Sequence, residues 1–261
     1  MDILSHTLTG IAVGTLTSTF VRTSRYSIKK KCLIIFSGAL AGALPDIDAI
    51  SLWSGFDGSI GKFFGLSNSG RAIYSGKKWY SHHGMMHSLF IGVLVPLLWW
   101  FIGGLISRNR LQLGSRLKTR WHKGKLGMLT FFMAYAFHCV EDMITPSGSW
   151  GGVRLFFPSQ EYYGGWGKIW WWNNYDLFLI ILLVVVLNLL FHLSKKHRTA
   201  LASISFIIGI ILFNIQILRR SDQSFGWQKN ERNSQELQKR FLHPKVYKIV
   251  NDFDNSMNLA F

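Results

Sequence analysis

Charged side chains are scarce in this sequence: Asp, Glu, Lys and Arg make up 16% of its 261 residues. Soluble domains carry roughly 25%, so the shortage argues for lipid as part of the protein's surroundings. Acids are scarcer than bases, with 13 Asp and Glu against 29 Lys and Arg, which gives a formal net charge of +16. A basic excess points to nucleic acid, to an anionic membrane surface, or to residues that orient membrane helices.

Cysteine is rare as well, and its placement excludes a disulfide scaffold. Cys32 and Cys139 are the two cysteines, and they fall in apolar segments that lie far apart in the chain. The chain opens with Met-Asp rather than with basic residues, and Ser and Thr interrupt its first apolar stretch. We therefore expect no cleaved signal peptide.

Hydrophobic sequence, by contrast, makes up 49% of the chain. Since a spanning helix needs about 20 residues, we predict an all-α, polytopic membrane bundle of about six transmembrane helices over residues 1–218, with a polar C-terminal tail at 219–261. The six apolar segments are 3–21, 32–53, 86–106, 126–145, 175–194 and 200–218. Small-residue spacings in the first two segments, Gly10 to Gly14 and Gly38 to Gly42, predict close helix packing.

Basic residues cluster in three connections between these segments. The connections 21–31, 107–125 and 195–198 hold 15 of the 29 Lys and Arg and no acid. The positive-inside rule places them in the cytoplasm, so all eight acids of the predicted bundle and five of the nine histidines fall on the other side. Arg219 and Arg220 break this rule, so either the tail lies on the outer membrane surface or the last helix does not cross.

Two motifs at the outer side carry candidate ligands near helix ends. His6 begins the first segment, although a histidine alone there is more often a packing residue. Asp46 and Asp48 follow Pro45, which bends or ends a helix. A charge beside an apolar run is costly unless it is paired or bound to a metal, and the alternative for this pair is a helix cap.

Two further motifs supply histidines at defined spacings. On one helix His82 and His87 would point about 140° apart, but Gly84 permits a turn that lets them converge. His138 and Asp142 are four residues apart and therefore stack on one helix face, a spacing that suits metal ligands or a buried hydrogen-bonded pair. Pro146 is expected to stop that helix.

Together these groups predict a metal centre. Neutral imidazoles and carboxylates suit zinc, with manganese or iron as alternatives, and a cation offsets the cost of burying several acids. The predicted ligands are His6, Asp48, His87, His138 and Asp142. The residues predicted to transfer protons or to support the ligands are Asp46, His82 and Glu141.

The same motifs resemble the YdjM-like family of membrane-bound, predicted metal-dependent hydrolases, described as LexA-binding and inner-membrane-associated. The matching pieces are Met1-Asp2-x-x-Ser5-His6-x-Leu8-Thr9-Gly10, Leu44-Pro45-Asp46-Ile47-Asp48, His82-x-Gly84-x-x-His87-Ser88 and His138-x-x-x-Asp142-x-x-Thr145-Pro146-x-Gly148, with Asp176 as a further match. The resemblance covers roughly residues 1–190. It departs at His83 and Met86, where the family usually has Arg and Thr. It implies a hydrolase of the bacterial inner membrane.

Our leading hypothesis is hydrolysis of an ester or phosphoester of a membrane lipid or lipid-linked molecule at the extracytoplasmic face, where such a site meets head groups. One alternative is a transporter or ion-handling protein that uses the cluster as a binding site or proton relay. Transport sites lie near the bilayer midplane, whereas these helix interiors lack acids, which favours an enzyme or a static metal site. The other alternative is a non-catalytic membrane regulator. Direct nucleic-acid binding is not expected, since no recognition-helix or zinc-finger pattern is present.

Overall fold

The computed structural model describes residues 1–21, 27–107, 112–146, 152–170, 174–194, 196–222, 236, 239 and 243–256, and every regular element among them is helical. The α-helices are α1 Ile3–Ser18, α2 Ser27–Ala43, α3 Gly70–Ser75, α4 Leu89–Ile106, α5 Leu113–Met143, α6 Tyr175–Phe191, α7 Arg198–Leu218 and α8 Pro244–Ser256. Three short helices join them: 3-10 helices at Pro45–Leu52 and Met85–His87, and one π-helical turn at Asp57–Gly61. The predicted all-α class is confirmed.

Fewer helices than the predicted six are long and apolar enough to count as candidate membrane spans. A helix overlaps each of the six predicted segments, but only α4 and α7, within the described residues, are long and apolar enough to cross a membrane. The bent pair Ile28–Ala43 and Pro45–Leu52 makes a third candidate if it forms one span. α6 is apolar but has 17 residues. The protein is therefore a helical bundle with two or three candidate spans, and six crossings remain a prediction.

Two predicted segments have different boundaries in the structure. The segment 32–53 is broken, because the chain bends by 48° between α2 and the 3-10 helix that begins at Pro45. Proline lacks the N–H and the space needed to continue the helix. α5 starts at Leu113 and so takes up much of the predicted basic connection 107–125, since Lys and Arg are good helix formers and no proline interrupts them. Residues 22–26 and 108–111 of the predicted loops lie outside the described residues.

Helix α1 is the centre of the bundle and packs against α2, α5, α6 and α7. Its contact with α2 depends on glycine: a Cβ at Gly10 would overlap the carbonyl oxygen of Gly38, and one at Gly42 would overlap the carbonyl oxygen of His6. The predicted close packing at these glycines is confirmed. As a result, the first turn of α1 lies directly against the last turn of α2.

The helix ends on the predicted extracytoplasmic side meet at one end of the bundle. The starts of α1, α4 and α6 lie there together with the ends of α2, α5 and α7. Arg220, just after α7, donates 2.5 Å and 2.7 Å hydrogen bonds to Asp176 and Asn174 at the start of α6. Arg220 therefore has a carboxylate partner at the end of the bundle where the positive-inside rule disfavours a basic residue. Most of the tail 219–261 lies outside the described residues, and its separation from the bundle remains a prediction.

Candidate metal centre

Four side chains from three elements meet beneath this end of the bundle. Asp46 comes from the 3-10 helix after α2, His87 from the short helix before α4, and His138 and Asp142 from the last turns of α5. Asp46 Oδ1 lies 3.4 Å from His87 Nε2 and 3.7 Å from His138 Nε2. Asp142 Oδ2 lies 3.4 Å from His87 Nε2 and 3.0 Å from His138 Nε2. The four atoms form a closed ring of two oxygens and two nitrogens.

These spacings fit a shared cation. Ligands bound about 2.0–2.2 Å from one ion, at angles between about 90° and 109°, lie roughly 2.8–3.6 Å from one another. The four measured separations, 3.0–3.7 Å, are close to that range. His87 Nε2, His138 Nε2 and Asp142 Oδ2 are buried and have no hydrogen-bond partner of acceptable geometry among the described residues. A buried polar atom without a partner costs about 1–3 kcal/mol. A cation would give all three atoms a partner at once.

The backbone of α2 fixes the tautomer of His138. The carbonyl oxygen of Gly42 accepts a 2.7 Å hydrogen bond from His138 Nδ1. Because a carbonyl can only accept, Nδ1 carries the proton, and the lone pair of Nε2 faces Asp46 and Asp142. A metal-ligating histidine typically has its second nitrogen bound in this way.

His6 lies one layer behind Asp142. Its Nε2 is 2.9 Å from Asp142 Oδ1, and its Nδ1 is 2.6 Å from Glu141 Oε2. The Met1 amino group also donates to Asp142 Oδ1, at 2.8 Å, while Thr9 donates to Glu141 at 2.6 Å. With both carboxylates ionised, His6 must donate from both nitrogens. In this arrangement it orients Asp142 and offers a cation no nitrogen, although the sequence predicted it as a ligand.

Asp48, another predicted ligand, lies beside the ring rather than in it. Its Oδ1 is 2.9 Å from His82 Nδ1, and its Oδ2 is 3.7 Å from His87 Nδ1. The His82 ring stacks on Tyr74 with ring centroids 4.3 Å apart. The turn predicted at Gly84 is confirmed, and it brings the ring centroids of His82 and His87 to within 4.8 Å.

His83 is a neighbour of the centre to which the sequence assigned no role. Its ring is buried, its Nδ1 is 2.9 Å from the Gly152 carbonyl oxygen, and its Nε2 is 3.8 Å from Asp142 Oδ2. Burial lowers the pKa of His83 well below the usual value for histidine, and the nearby charges of His82 and His87 lower it further. His83 is therefore a neutral imidazole, the form that binds metals.

Charge in this region is unbalanced in favour of the acids. The carboxylates of Asp46, Asp48, Glu141 and Asp142 would carry four negative charges. The doubly hydrogen-bonded His6 and the Met1 amino group offset two of them. When a cation binds and the imidazoles of His82, His83, His87 and His138 are all neutral, two negative charges are left in a buried site, where uncompensated charge is expensive. That remainder equals the charge of one divalent cation.

All eight residues predicted for the site lie in this region, but the structure arranges them in two layers. The ring contains three of the predicted ligands, together with Asp46, which was predicted to transfer protons. His6, Asp48, His82 and Glu141 surround it. Sequence reasoning missed the contributions of Thr9 and of the Gly42 carbonyl. Thr9 lay within the quoted motif after His6, whereas a backbone carbonyl leaves no residue-type signal.

An apolar cavity of about 120 Å³ lies on the adjoining face of α5. Its walls come from α1, α5, α6 and α7, and Glu141 and Thr9 form part of its lining. The lining also includes Ala12, Phe137, Val184, Phe206 and Ile210. The hydrogen bonds from Glu141 through His6 to Asp142 connect this cavity to the ring.

Comparisons with known proteins assign the family. The profile of the YdjM inner membrane protein family matches residues 1–227, which include every residue of the centre and of the cavity lining. Neither a curated protein nor a solved structure matches the chain. A match over this share of the chain shows common descent, and so this chain belongs to the YdjM inner membrane protein family.

Proposed function

We propose that this chain is a membrane-embedded, metal-dependent hydrolase that cleaves an ester or phosphoester of a lipid or lipid-linked substrate. The observation that carries the proposal is the ring of Asp46, His87, His138 and Asp142. Its atoms lie 3.0–3.7 Å apart along the ring, and three of the four have no hydrogen-bond partner among the described residues. A static structural site would need no acids beyond its ligands, yet two more buried or half-buried acids adjoin this ring.

Asp46, His87, His138 and Asp142 would hold a divalent cation, which would act as a Lewis acid and would activate water as a nucleophile near neutral pH. Zinc suits the two imidazoles and two carboxylates best, and manganese and iron are the alternatives. Other residues of the chain orient two of the proposed ligands. Asp142 is oriented by His6, and His138 is oriented by Gly42.

His82 and Asp48 are the proposed proton carriers. Asp48 holds His82 Nδ1 at 2.9 Å, which orients the ring as carboxylates do in other acid–base pairs. The pair is next to His87: the ring centroids of His82 and His87 are 4.8 Å apart, and Asp48 Oδ2 is 3.7 Å from His87 Nδ1. His82 would deliver a proton to the departing oxygen of the substrate, while Glu141 stays engaged with His6 and Thr9.

A lipid substrate is favoured by what surrounds the site. α7 is a candidate span with exposed Ile204, Ile207, Ile208 and Ile211, so that side of the bundle faces hydrocarbon. The cavity between α1, α5, α6 and α7, about 120 Å³, is slightly smaller than the roughly 150 Å³ that holds a benzene-sized ligand. It would take a short stretch of an acyl or isoprenoid chain beside the polar centre.

The proposed location is the extracytoplasmic face of the inner membrane. Family membership supports the inner membrane, and the basic connections support the orientation through the positive-inside rule. Those basic residues need no nucleic-acid partner, because anionic lipid head groups attract them.

The test is metal content and turnover measured on the same purified protein. We expect about one divalent ion per chain and hydrolysis of at least one lipid ester or phosphoester in a substrate screen. His138→Ala and Asp142→Ala should each remove both the ion and turnover, because each takes one atom from the ring.

His122→Ala is the matched control, since His122 is an exposed histidine of the same helix α5. It should leave the metal content and the rate unchanged. Turnover that survives both ring substitutions would refute the site. A tightly bound ion that supports no hydrolysis of any lipid ester or phosphoester would refute the enzyme and leave a binding site.

A further inference from the structure

We propose that residues 53–81, here called the outer loop, bind the surface of an anionic phospholipid leaflet. In this arrangement Phe63 and Phe64 insert among the acyl chains, and the basic residues of the outer loop bind lipid phosphate groups. The proposal needs neither a bound cation nor hydrolysis, so it is independent of the proposed function.

Phe63 and Phe64 form an exposed aromatic pair. They are 83% and 68% exposed, and their ring centroids lie 5.0 Å apart. Single exposed apolar side chains are common on soluble proteins, but two adjacent phenylalanines in contact form a cluster of apolar surface. Transfer of this cluster from water to an apolar environment is therefore favourable.

A hydrogen-bonded turn holds the two rings at the surface. The Phe64 N–H donates to the Ile60 carbonyl oxygen at 3.0 Å, and the Leu66 N–H donates to the Gly61 carbonyl oxygen at 2.9 Å. Gly65 between them has φ of +61°, a conformation that glycine adopts at little cost. The phenylalanine pair is thus held on an ordered turn rather than on an unpaired backbone.

The base of the outer loop is packed against the surroundings of the metal centre. Gly70, at the start of α3, lies so close to the 3-10 helix Pro45–Leu52 that a Cβ there would overlap the carbonyl oxygen of Ser51 and the ring of the buried Phe56. Tyr74 of α3 stacks on His82. The loop that carries the two phenylalanines therefore packs on the same short helix that brings Asp46 to the ring.

The outer loop is also basic. Its one acid is Asp57, whose Oδ1 accepts a 2.6 Å hydrogen bond from the Gly70 N–H. Its four basic residues are all exposed: Lys62, Arg71, Lys77 and Lys78. The positive-inside rule disfavours basic residues in a loop predicted to be extracytoplasmic. Their presence therefore indicates a local anionic ligand.

A phospholipid leaflet meets both requirements, because it offers acyl chains to the aromatic pair and phosphate groups to the basic residues. The leaflet is also close by. The outer loop follows the bent pair of helices that ends at Leu52 and precedes α4, and both are candidate spans. Trp79 and Tyr80 of the loop are exposed, and such residues are typical of the membrane interface.

The experiment locates residue 63 relative to the bilayer, using the full chain in lipid nanodiscs. Phe63→Cys is labelled with an environment-sensitive fluorophore in a Cys32→Ser background, where the remaining Cys139 is buried. The discs contain either phosphatidylcholine alone or equal parts of phosphatidylcholine and anionic phosphatidylglycerol. Two quenchers are compared: acrylamide, which is neutral and stays in water, and a nitroxide-labelled lipid, which stays in the bilayer.

In the mixed discs we expect the label at residue 63 to be protected from acrylamide and quenched by the nitroxide lipid. The same label on Ser67→Cys, an exposed polar position of the same loop, is the control and should remain open to acrylamide. Equal access of acrylamide to both positions in the mixed discs would refute insertion of the aromatic pair.

A charge reversal tests the phosphate contacts. Lys77→Glu combined with Lys78→Glu should lower the preference of the label for the bilayer by about 25-fold or more, at about fivefold for each basic residue lost near an anionic surface. The matched control is Lys123→Glu combined with Lys125→Glu, two exposed lysines of α5 in the predicted cytoplasmic connection, which should have no effect on residue 63. Protection that is the same in both kinds of disc and insensitive to the outer-loop reversal would refute binding of anionic lipid.

One further outcome would assign the surface to another occupant. If the label is equally protected in detergent and the chain there has the mass of a dimer, a second copy covers the aromatic pair and the proposal is wrong. All of these measurements are made on metal-free protein without substrate. Their result therefore stands whether or not the metal centre binds an ion and supports turnover.

Discussion

Removing the metal should destabilise the bundle by an amount that can be worked out in advance. The ring joins Asp46, His87 and His138, which belong to three elements separated by 41 and 51 residues in the sequence. These residues converge only in the folded chain, so the cation binds the folded state and not the unfolded one. At a free metal concentration 100 times the dissociation constant, such binding stabilises by about 2.7 kcal/mol. For a chain of this size, 1 kcal/mol shifts the Tm by roughly 2–4 °C, which gives an expected shift of about 5–11 °C.

The two cysteines supply the assay. Cys139 is fully buried in α5 next to His138, whereas Cys32 is exposed. In a Cys32→Ser background, a thiol-reactive fluorophore therefore reports when α5 unfolds beside the centre. The Tm is measured after chelation and again after metal is restored. A shift below about 2 °C, or the same shift in Asp142→Ala, would show that the cation does not bind at this ring and would refute the reasoning.

Two further predictions concern the surroundings of the ring. His6→Asn should weaken metal affinity about 10–100-fold without abolishing it, measured by chelator competition, whereas complete loss equal to that of His138→Ala would make His6 a ligand in its own right. Ile210 lines the apolar cavity, so Ile210→Trp should fill part of it and raise KM for long-chain substrates while sparing short-chain analogues. Ile211→Trp, one residue along the same exposed helix but outside the cavity lining, is its control, and equal effects of the two tryptophans would remove the cavity from substrate binding.

The sequence predicted the helices and the residues of the site better than it predicted their arrangement. Periodicity and hydrophobicity locate helices, and the four-residue spacing of His138 and Asp142 correctly places both on one face of α5. The same spacing says nothing about contacts between distant elements. Asp46 and Asp48 are two residues apart in one motif, and only the bend at Pro45 decides which of them enters the ring. Their roles could not be separated without that geometry.

The role of His6 also depends on contacts that the sequence does not reveal. Alone, a histidine at this position is more often a packing residue, and His6 was predicted as a ligand only together with the other histidines and acids of the outer side. The contact that decides its position is the close packing of α1 on α2, which sets the first turn of α1 behind Asp142. Six crossings likewise remain a prediction, since α1 is rich in Ser, Thr and Gly and α6 has 17 residues. Tertiary packing stabilises such helices in ways that local hydropathy does not record.

The glycine contact between α1 and α2 ties the packing of the bundle to its chemistry. Gly42 lies against the carbonyl of His6 on one side, and on the other its own carbonyl oxygen accepts the hydrogen bond from His138 Nδ1. A shift of α1 relative to α2 would therefore disturb two features at once: the hydrogen bonds from His6 that orient Asp142, and the tautomer that points His138 Nε2 into the ring. Both nitrogen and oxygen ligands of α5 thus depend on one helix crossing. Helix α1 therefore gives the proposed metal no ligand, but its packing against α2 determines the geometry of the centre.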